Sequence, residues 1–143
     1  MKRNREILSG LIAVEGIDGA GTTTLAGNLR KALESAGNRV ISGCEPTDGP
    51  IGRVIREGLS GRLPLAPESM ALLFAADRRE HLYGSEGIKP VVDGGGYYIT
   101  DRYFFSSLAY QSLDCSWEWV DELNSPYPLP EFLIYLGLPV DEA

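Results

Sequence analysis

Short apolar runs and stretches of helical spacing alternate along this chain from end to end. Leu11-Ile-Ala-Val-Glu15 is mostly apolar and is closed by a glycine-rich loop, Gly16 to Gly21. Such a run predicts a buried parallel strand. Leu25, Leu29, Ala32 and Leu33 then recur at helical spacing and predict a helix over Thr22–Ala36, stopped by Gly37-Asn38. Arg39–Cys44 predicts a second strand, Glu45–Pro50 a loop, Ile51–Leu59 a helix and Leu63–Pro67 another loop. Helical spacing continues from Glu68 to about Val92, with Gly84, Gly87 and Pro90 interrupting its second half. After a turn at Gly94–Gly96 comes a third strand, Tyr97–Thr100, ending at Asp101-Arg102. Tyr103–Leu113 and Trp117–Leu123 predict helices, Pro126–Pro130 a loop, Phe132–Leu136 a fourth strand, and Pro139–Ala143 the start of a helix.

Strands alternating with helices imply an α/β fold of one domain over residues 1–143, with a parallel sheet covered on both faces. Ligands of such sheets sit beyond the carboxyl ends of the strands. The chemically loaded residues fall there: Asp18–Thr24 after the first strand, Glu45–Asp48 after the second, Asp101-Arg102 after the third.

Composition narrows the function. A net charge of −7 argues against a nucleic acid as main partner but leaves room for a small phosphorylated ligand. One histidine and two distant cysteines, Cys44 and Cys115, fit no metal or redox spacing, so both thiols are expected reduced and in packing roles. The segment Met1–Glu6 is basic, but the apolar run after it is too short for a signal core, and nothing approaches a membrane span. A cytoplasmic location without membrane contact is the expectation.

The loop Gly16-Ile-Asp-Gly-Ala-Gly-Thr-Thr-Thr24 follows the phosphate-binding pattern G-x-x-x-x-G-K-[ST] at Gly16, Gly21 and Thr23. Its glycines let consecutive amides, from Gly19 and Ala20 to Thr22 and Thr24, turn inward, and the following helix aims its positive end at the same point. Thr23 offers a hydroxyl to Mg²⁺. Thr22 stands where the pattern has lysine. The plainer alternative is a tight strand-to-helix turn with Thr22 or Thr23 as helix cap.

Several segments in order resemble thymidylate kinases. Glu15-Gly-Ile-Asp-Gly-Ala-Gly21 resembles the family's phosphate loop, and Glu45-Pro-Thr-Asp-Gly-Pro-Ile-Gly52 its second loop. Leu72-Leu-Phe-Ala-Ala-Asp-Arg-Arg-Glu-His-Leu82 resembles the nucleobase helix. Asp101-Arg-Tyr103 with Ser106-Ser-Leu-Ala-Tyr-Gln111 resembles the second signature, and Phe132–Leu136 the strand before the lid. The resemblance implies a three-layer P-loop nucleoside-triphosphate hydrolase fold, cut before its final strand, that moves the γ-phosphoryl group of MgATP onto dTMP. ATP, dTMP and Mg²⁺ are the implied ligands, and a homodimer the implied assembly, with Phe105, Leu108 and Trp117 as contributors.

Residue by residue, the resemblance places Asp18 beside the facing phosphates and Glu45-Pro46 at the acceptor site. Phe74 would stack on thymine, and Arg78 would bond its carbonyl edge. Arg102 would bridge donor and acceptor phosphates, and Asp101 with Thr23 would hold Mg²⁺. Tyr110 would pack on the deoxyribose, with Ser107 and Gln111 near the base. Plainer roles stand beside these. Phe74 and Tyr110 could be core packing, Arg78 beside Arg79 a solvated helix face, Asp101 a helix cap, and Asp18 a turn residue.

Two departures bear on activity: Thr22 replaces the family's lysine, and Cys44 stands before Glu45-Pro46 where the family has arginine. The family's lid and adenine-binding segment lie beyond residue 143. Weak or absent turnover is therefore expected of these residues alone, with a basic lid residue replacing the missing ammonium in a longer protein. The competing readings are a kinase for another nucleotide or a deoxynucleoside, and a nucleotide-binding module without turnover.

Overall fold

In the computed structural model, which describes residues 4–142, the four strands form one wholly parallel sheet in the order β2-β3-β1-β4. The strands are β1 (Ile7–Gly16), β2 (Val40–Cys44), β3 (Tyr97–Asp101) and β4 (Leu129–Leu136). Side chains of β1 alternate between two cores. Leu11 and Ala13 join one face with Ala75, Leu82, Ile88, Tyr103 and Phe104. Ile12 and Val14 join the other with Ala26, Val40 and Ile99. A fully buried leucine such as Leu11, 0% exposed, contributes about 1.5–3 kcal/mol. That double burial is why the strand reads as a continuous apolar run.

The helices are α1 (Thr22–Ser35), α2 (Pro50–Leu59), α3 (Pro67–Tyr83), α4 (Ile88–Asp93), α5 (Phe104–Tyr110) and α6 (Trp117–Asn124). Short 3₁₀ turns follow at Gln111–Leu113 and Val140–Glu142. Helix α1 covers the second core through Leu25, Leu29 and Leu33.

Several boundaries differ from the sequence expectation. Strand β1 begins four residues earlier, at Ile7, because a register shift between Leu8 and Ile12 carries it past Ser9-Gly10. Gly10 has φ 87°, and a Cβ there would lie 2.8 Å from Gly96 O, so only glycine suits this kink. The long helical stretch is two helices, split by Gly84 and Gly87. A Cβ at either position would meet a backbone oxygen, Glu80 O at 2.6 Å or His81 O at 2.5 Å. Strand β4 starts at Leu129, inside the expected loop, because Leu129 N donates to Glu6 O at 2.8 Å and extends the pairing with β1. The segment after Pro139 forms a 3₁₀ turn where a helix start was expected. Met1–Arg3 of the basic segment and Ala143 lie outside the described residues.

Candidate functional site

The register puts three chemically loaded strand ends at one level: Val14 and Cys44 both align with Asp101. The glycine-rich loop starts there. Gly16 is enclosed, since a Cβ would lie 3.0 Å from Thr22 Cγ2 and 3.2 Å from Leu136 O. Gly19 (φ 83°) and Gly21 (φ 96°) adopt the left-handed conformation that glycine takes without steric cost. Ala20 N donates to Ile17 O at 3.1 Å, and Leu25 N to Gly21 O at 3.0 Å, so the amides from Gly21 to Thr24 precede the helical ladder. Gly21 is the N-cap of α1 and no side chain caps it, so neither Thr22 nor Thr23 is the helix cap.

Thr23 Oγ1 instead donates to Asp101 Oδ2 at 2.7 Å. Asp101 Oδ1 is buried without any hydrogen-bond partner. A hydroxyl and a carboxylate with an orphaned oxygen, beside a helix N-terminus, suit a hard cation such as Mg²⁺, which takes its remaining ligands from water and phosphate. No cluster of three or more His, Cys, Asp or Glu suited to a metal occurs among the described residues. Thr22, in the lysine position, is buried, and Thr24 is exposed.

Arg102 sits at φ 75°, a left-handed conformation costing a non-glycine residue about 1–3 kcal/mol. Its neighbours hold it there. Arg102 N donates to Val14 O at 2.9 Å, and its carbonyl accepts Thr100 Oγ1 at 2.7 Å. The guanidinium donates to Asp18 Oδ1 at 2.6 Å and Ser106 Oγ at 3.2 Å, and lies 5.6 Å from the centre of the Tyr110 ring. Glu15 organises this corner from below. Its carboxylate accepts Tyr103 N at 2.8 Å, Ser106 N at 3.3 Å and Ser106 Oγ at 2.6 Å, so β1 caps α5. Burial pushes the Glu15 carboxyl above its ordinary value, and the bonds from Ser106 and Tyr103 draw it part of the way back.

Beside Arg102 opens a cavity of about 280 Å³ whose lining includes Asp18, Glu45, Pro46, Phe74, Arg78, Arg102, Tyr110 and Gln111. All of these were candidates from sequence. Ser107 does not line it; it is 2% exposed and accepts Arg78 Nη2 at 3.2 Å from behind. Gln111 Oε1 is buried with no donor.

Arg78 is 1% exposed, so it is not a solvated helix face. Its Nε and Nη2 meet Glu45 Oε2 at 2.8 and 2.6 Å, Nη1 donates to Asn124 Oδ1, and the guanidinium lies 5.6 Å from the Tyr103 ring centre. Phe105 and Leu108, expected at a dimer interface, are half-buried against the core, while Trp117 is 53% exposed. A larger cavity of about 680 Å³ lies along β2. Its charged lining is Asp48, Glu80 and Glu86 without any Arg or Lys, which suits a nucleotide phosphate poorly.

Sequence reasoning missed Asp77, Arg56, His81 and Asn124. Asp77 is 2% exposed and accepts Thr47 N at 2.7 Å and Thr47 Oγ1 at 2.6 Å, pinning the second loop. Arg56 crosses from α2 to the carbonyls of Pro46 and Thr47, each at 2.5 Å, and reaches 3.9 Å from Cys44 Sγ. Burial, then Asp48, push the Cys44 thiol up, and Arg56 opposes them. Glu45-Pro46 is a cis peptide. Spacing along the chain carries no signal for such cross-element contacts.

The profile described as Thymidylate kinase matches residues 14–143. This chain belongs to the thymidylate kinase family. A thymidylate kinase of Xanthomonas oryzae is 44% identical over 131 residues, 90% of this chain and 56% of that protein. A probable thymidylate kinase of Thermococcus kodakarensis is 43% identical over 143 residues, 92% of this chain and 68% of the relative. The crystal structure of thymidylate kinase from Ehrlichia chaffeensis superposes with a TM-score of 0.80 at 30% identity, covering 94% of this chain and 75% of that one. The chain thus spans about two thirds or less of these two relatives' length. The fold is the parallel P-loop fold of this family. No helix among the described residues is long and apolar enough to cross a membrane.

Proposed function

We propose that this chain carries the phosphate-binding and acceptor-binding machinery of an enzyme that transfers the γ-phosphoryl group of MgATP to dTMP. One observation supports this most strongly. Arg102 touches the glycine-rich loop through Asp18 and, with it, lines the cavity that holds Phe74, Arg78 and Gln111. A guanidinium at that junction can face a donor phosphate on one side and an acceptor phosphate on the other.

The acceptor oxygen of dTMP is already anionic, so no strong general base is required. Catalysis then consists of alignment and charge neutralisation. The amides of Gly16, Gly19, Ala20, Gly21, Thr22, Thr23 and Thr24 cradle the donor phosphates. Thr23 and Asp101 would hold Mg²⁺, which supplies positive charge at the phosphoryl oxygens when bound. Asp18 orients Arg102. In the cavity, Phe74 stacks on the base, Arg78 donates to its carbonyl edge, Gln111 Oε1 accepts from a ring N–H, and Tyr110 packs on the sugar. Glu45 and Pro46 shape the acceptor side.

Thr22 favours a second reading, a module that binds nucleotide without turnover, because loss of one donor to developing charge costs about 10²–10³ in rate. Calorimetric titration of this chain with dTMP and MgATP, followed by a coupled ADP-release assay on a longer protein that also carries the family's lid segment, separates the readings. Binding of both with dTMP-dependent ADP release is the expected result for a kinase. Binding without ADP release leaves the module, and no dTMP binding overturns the proposal.

A further inference from the structure

We propose that His81 is a positioning residue that sets the orientation of Arg78, and with it the preference for a thymine base, by acting through Glu45. This rests on the thymidylate reading above and deepens it. His81 does not line the base cavity; Glu45 and Arg78 do.

The geometry of the Glu45 carboxylate carries the argument. An arginine and a carboxylate ordinarily meet as a fork, one N–H to each oxygen. Here both Arg78 Nε and Nη2 meet the same oxygen, Oε2, at 2.8 and 2.6 Å. The other oxygen, Oε1, is held by His81 Nδ1 at 3.1 Å. The terminal torsion of a glutamate is soft. With Oε1 released, the carboxylate can swing until both oxygens share the guanidinium, and Arg78 tilts with it. His81 therefore decides the pitch at which Arg78 meets the cavity.

His81 is held from the far side as well. A carboxylate paired with Arg78 only accepts, so Nδ1 donates to it. Nε2 lies 2.8 Å from Tyr98 Oη, within hydrogen-bond distance. The Tyr98 hydroxyl is pushed up to about 12, first by burial and then by Cys44 and Glu45, so it keeps its proton. Room for this hydroxyl exists because residue 43 is glycine. A Cβ there would lie 2.3 Å from Tyr98 Oη and 3.1 Å from His81 Nε2. The chain Tyr98–His81–Glu45–Arg78 thus runs from β3 through α3 to the end of β2 and back to α3, at the base cavity.

The test compares dTMP with dCMP, which lacks the carbonyl that Arg78 would meet. Affinities for both are measured by calorimetry on the wild-type chain and on His81→Leu, His81→Asn and Tyr98→Phe. The expected result is a fall of about tenfold in the dTMP preference for His81→Leu. Recovery of most of it is expected in His81→Asn, whose amide replaces the Nδ1 donor, with a smaller fall in Tyr98→Phe. A role in core packing alone weakens both nucleotides in parallel and leaves their ratio unchanged, and that result overturns the proposal. If His81→Leu does not fold, Tyr98→Phe decides, and a wild-type ratio there overturns it. Wild-type protein that binds neither nucleotide overturns the thymidylate reading and this inference together. Wild-type dTMP binding with an unmoved ratio overturns this inference alone.

Discussion

The proposed phosphate half of this site and its proposed base half are built in opposite ways. Around Gly16–Thr24 the groups proposed to meet the ligand are main-chain amides on a loop with Asp18 93% exposed and Gly21 having no neighbour within 4 Å of a would-be Cβ. Around Arg78 the groups are side chains from the loop after β2 and from α3, α5 and α6, buried and bonded to one another. The shape of a main-chain cradle depends on where the chain turns more than on its side chains. A buried ion pair depends on every partner, because the lone charge left by one deletion has no water to replace it.

Substitutions can break that contrast. Glu45→Ala strands Arg78 in the interior and should destabilise the fold by about 3–5 kcal/mol in chemical denaturation. If the loss is under about 1 kcal/mol, the base half is not the interdependent unit described here. Arg102→Gln removes the charge at the junction of the two halves. It should lower turnover by about 10²–10³ where the wild type is active, with the unfolding midpoint little changed. Thr22→Lys restores the ammonium and should raise MgATP affinity or turnover by about tenfold or more, since the amide cradle is already formed. An unchanged affinity would show that the buried position at 22 does not face phosphate. Thr23→Val should weaken Mg²⁺-dependent nucleotide binding yet shift stability by less than about 0.5 kcal/mol, as for other exposed positions.

Glu15→Gln gives the smallest effect and a sign that depends on pH. The folded-state pKa of Glu15 is raised, mainly by burial, so the folded chain holds this proton more tightly than the unfolded one. Its contribution is fully present below the ordinary carboxylate value and is lost as pH rises through the raised one. Thermal melts should therefore show the wild type losing ground to Glu15→Gln as pH rises through the mildly acidic range. A constant difference would mean that Glu15 titrates normally.

The legibility of each half follows its construction. Gly16, Gly19, Gly21 and Thr23 lie within a few residues of each other, and a local backbone feature leaves a local pattern. That Phe74, Arg78, Tyr110 and Gln111 belong to one cavity was suggested only by resemblance to a family; spacing alone left Arg78 as readily a surface residue as an interior one. The contacts of Asp77, Arg56 and His81 left no readable trace. Their partners, Thr47, Pro46 and Glu45, lie 30, 10 and 36 residues away along the chain. The overlong helix after Glu68 failed for a related reason. Gly84 and Gly87 are required by contacts with Glu80 O and His81 O, which spacing does not reveal.

What the amino-acid order determined by itself was the alternation of strands and helices, the parallel sheet and the place of the phosphate loop. Each of these follows from periodicity and from glycine over a few neighbouring residues. What only the tertiary structure decided was the bond of Thr23 to Asp101, the strained seat of Arg102 over Glu15 and Ser106, and the buried set that joins Glu45, Arg78 and His81. Those depend on sheet register and helix packing, which bring together side chains that local preference leaves far apart.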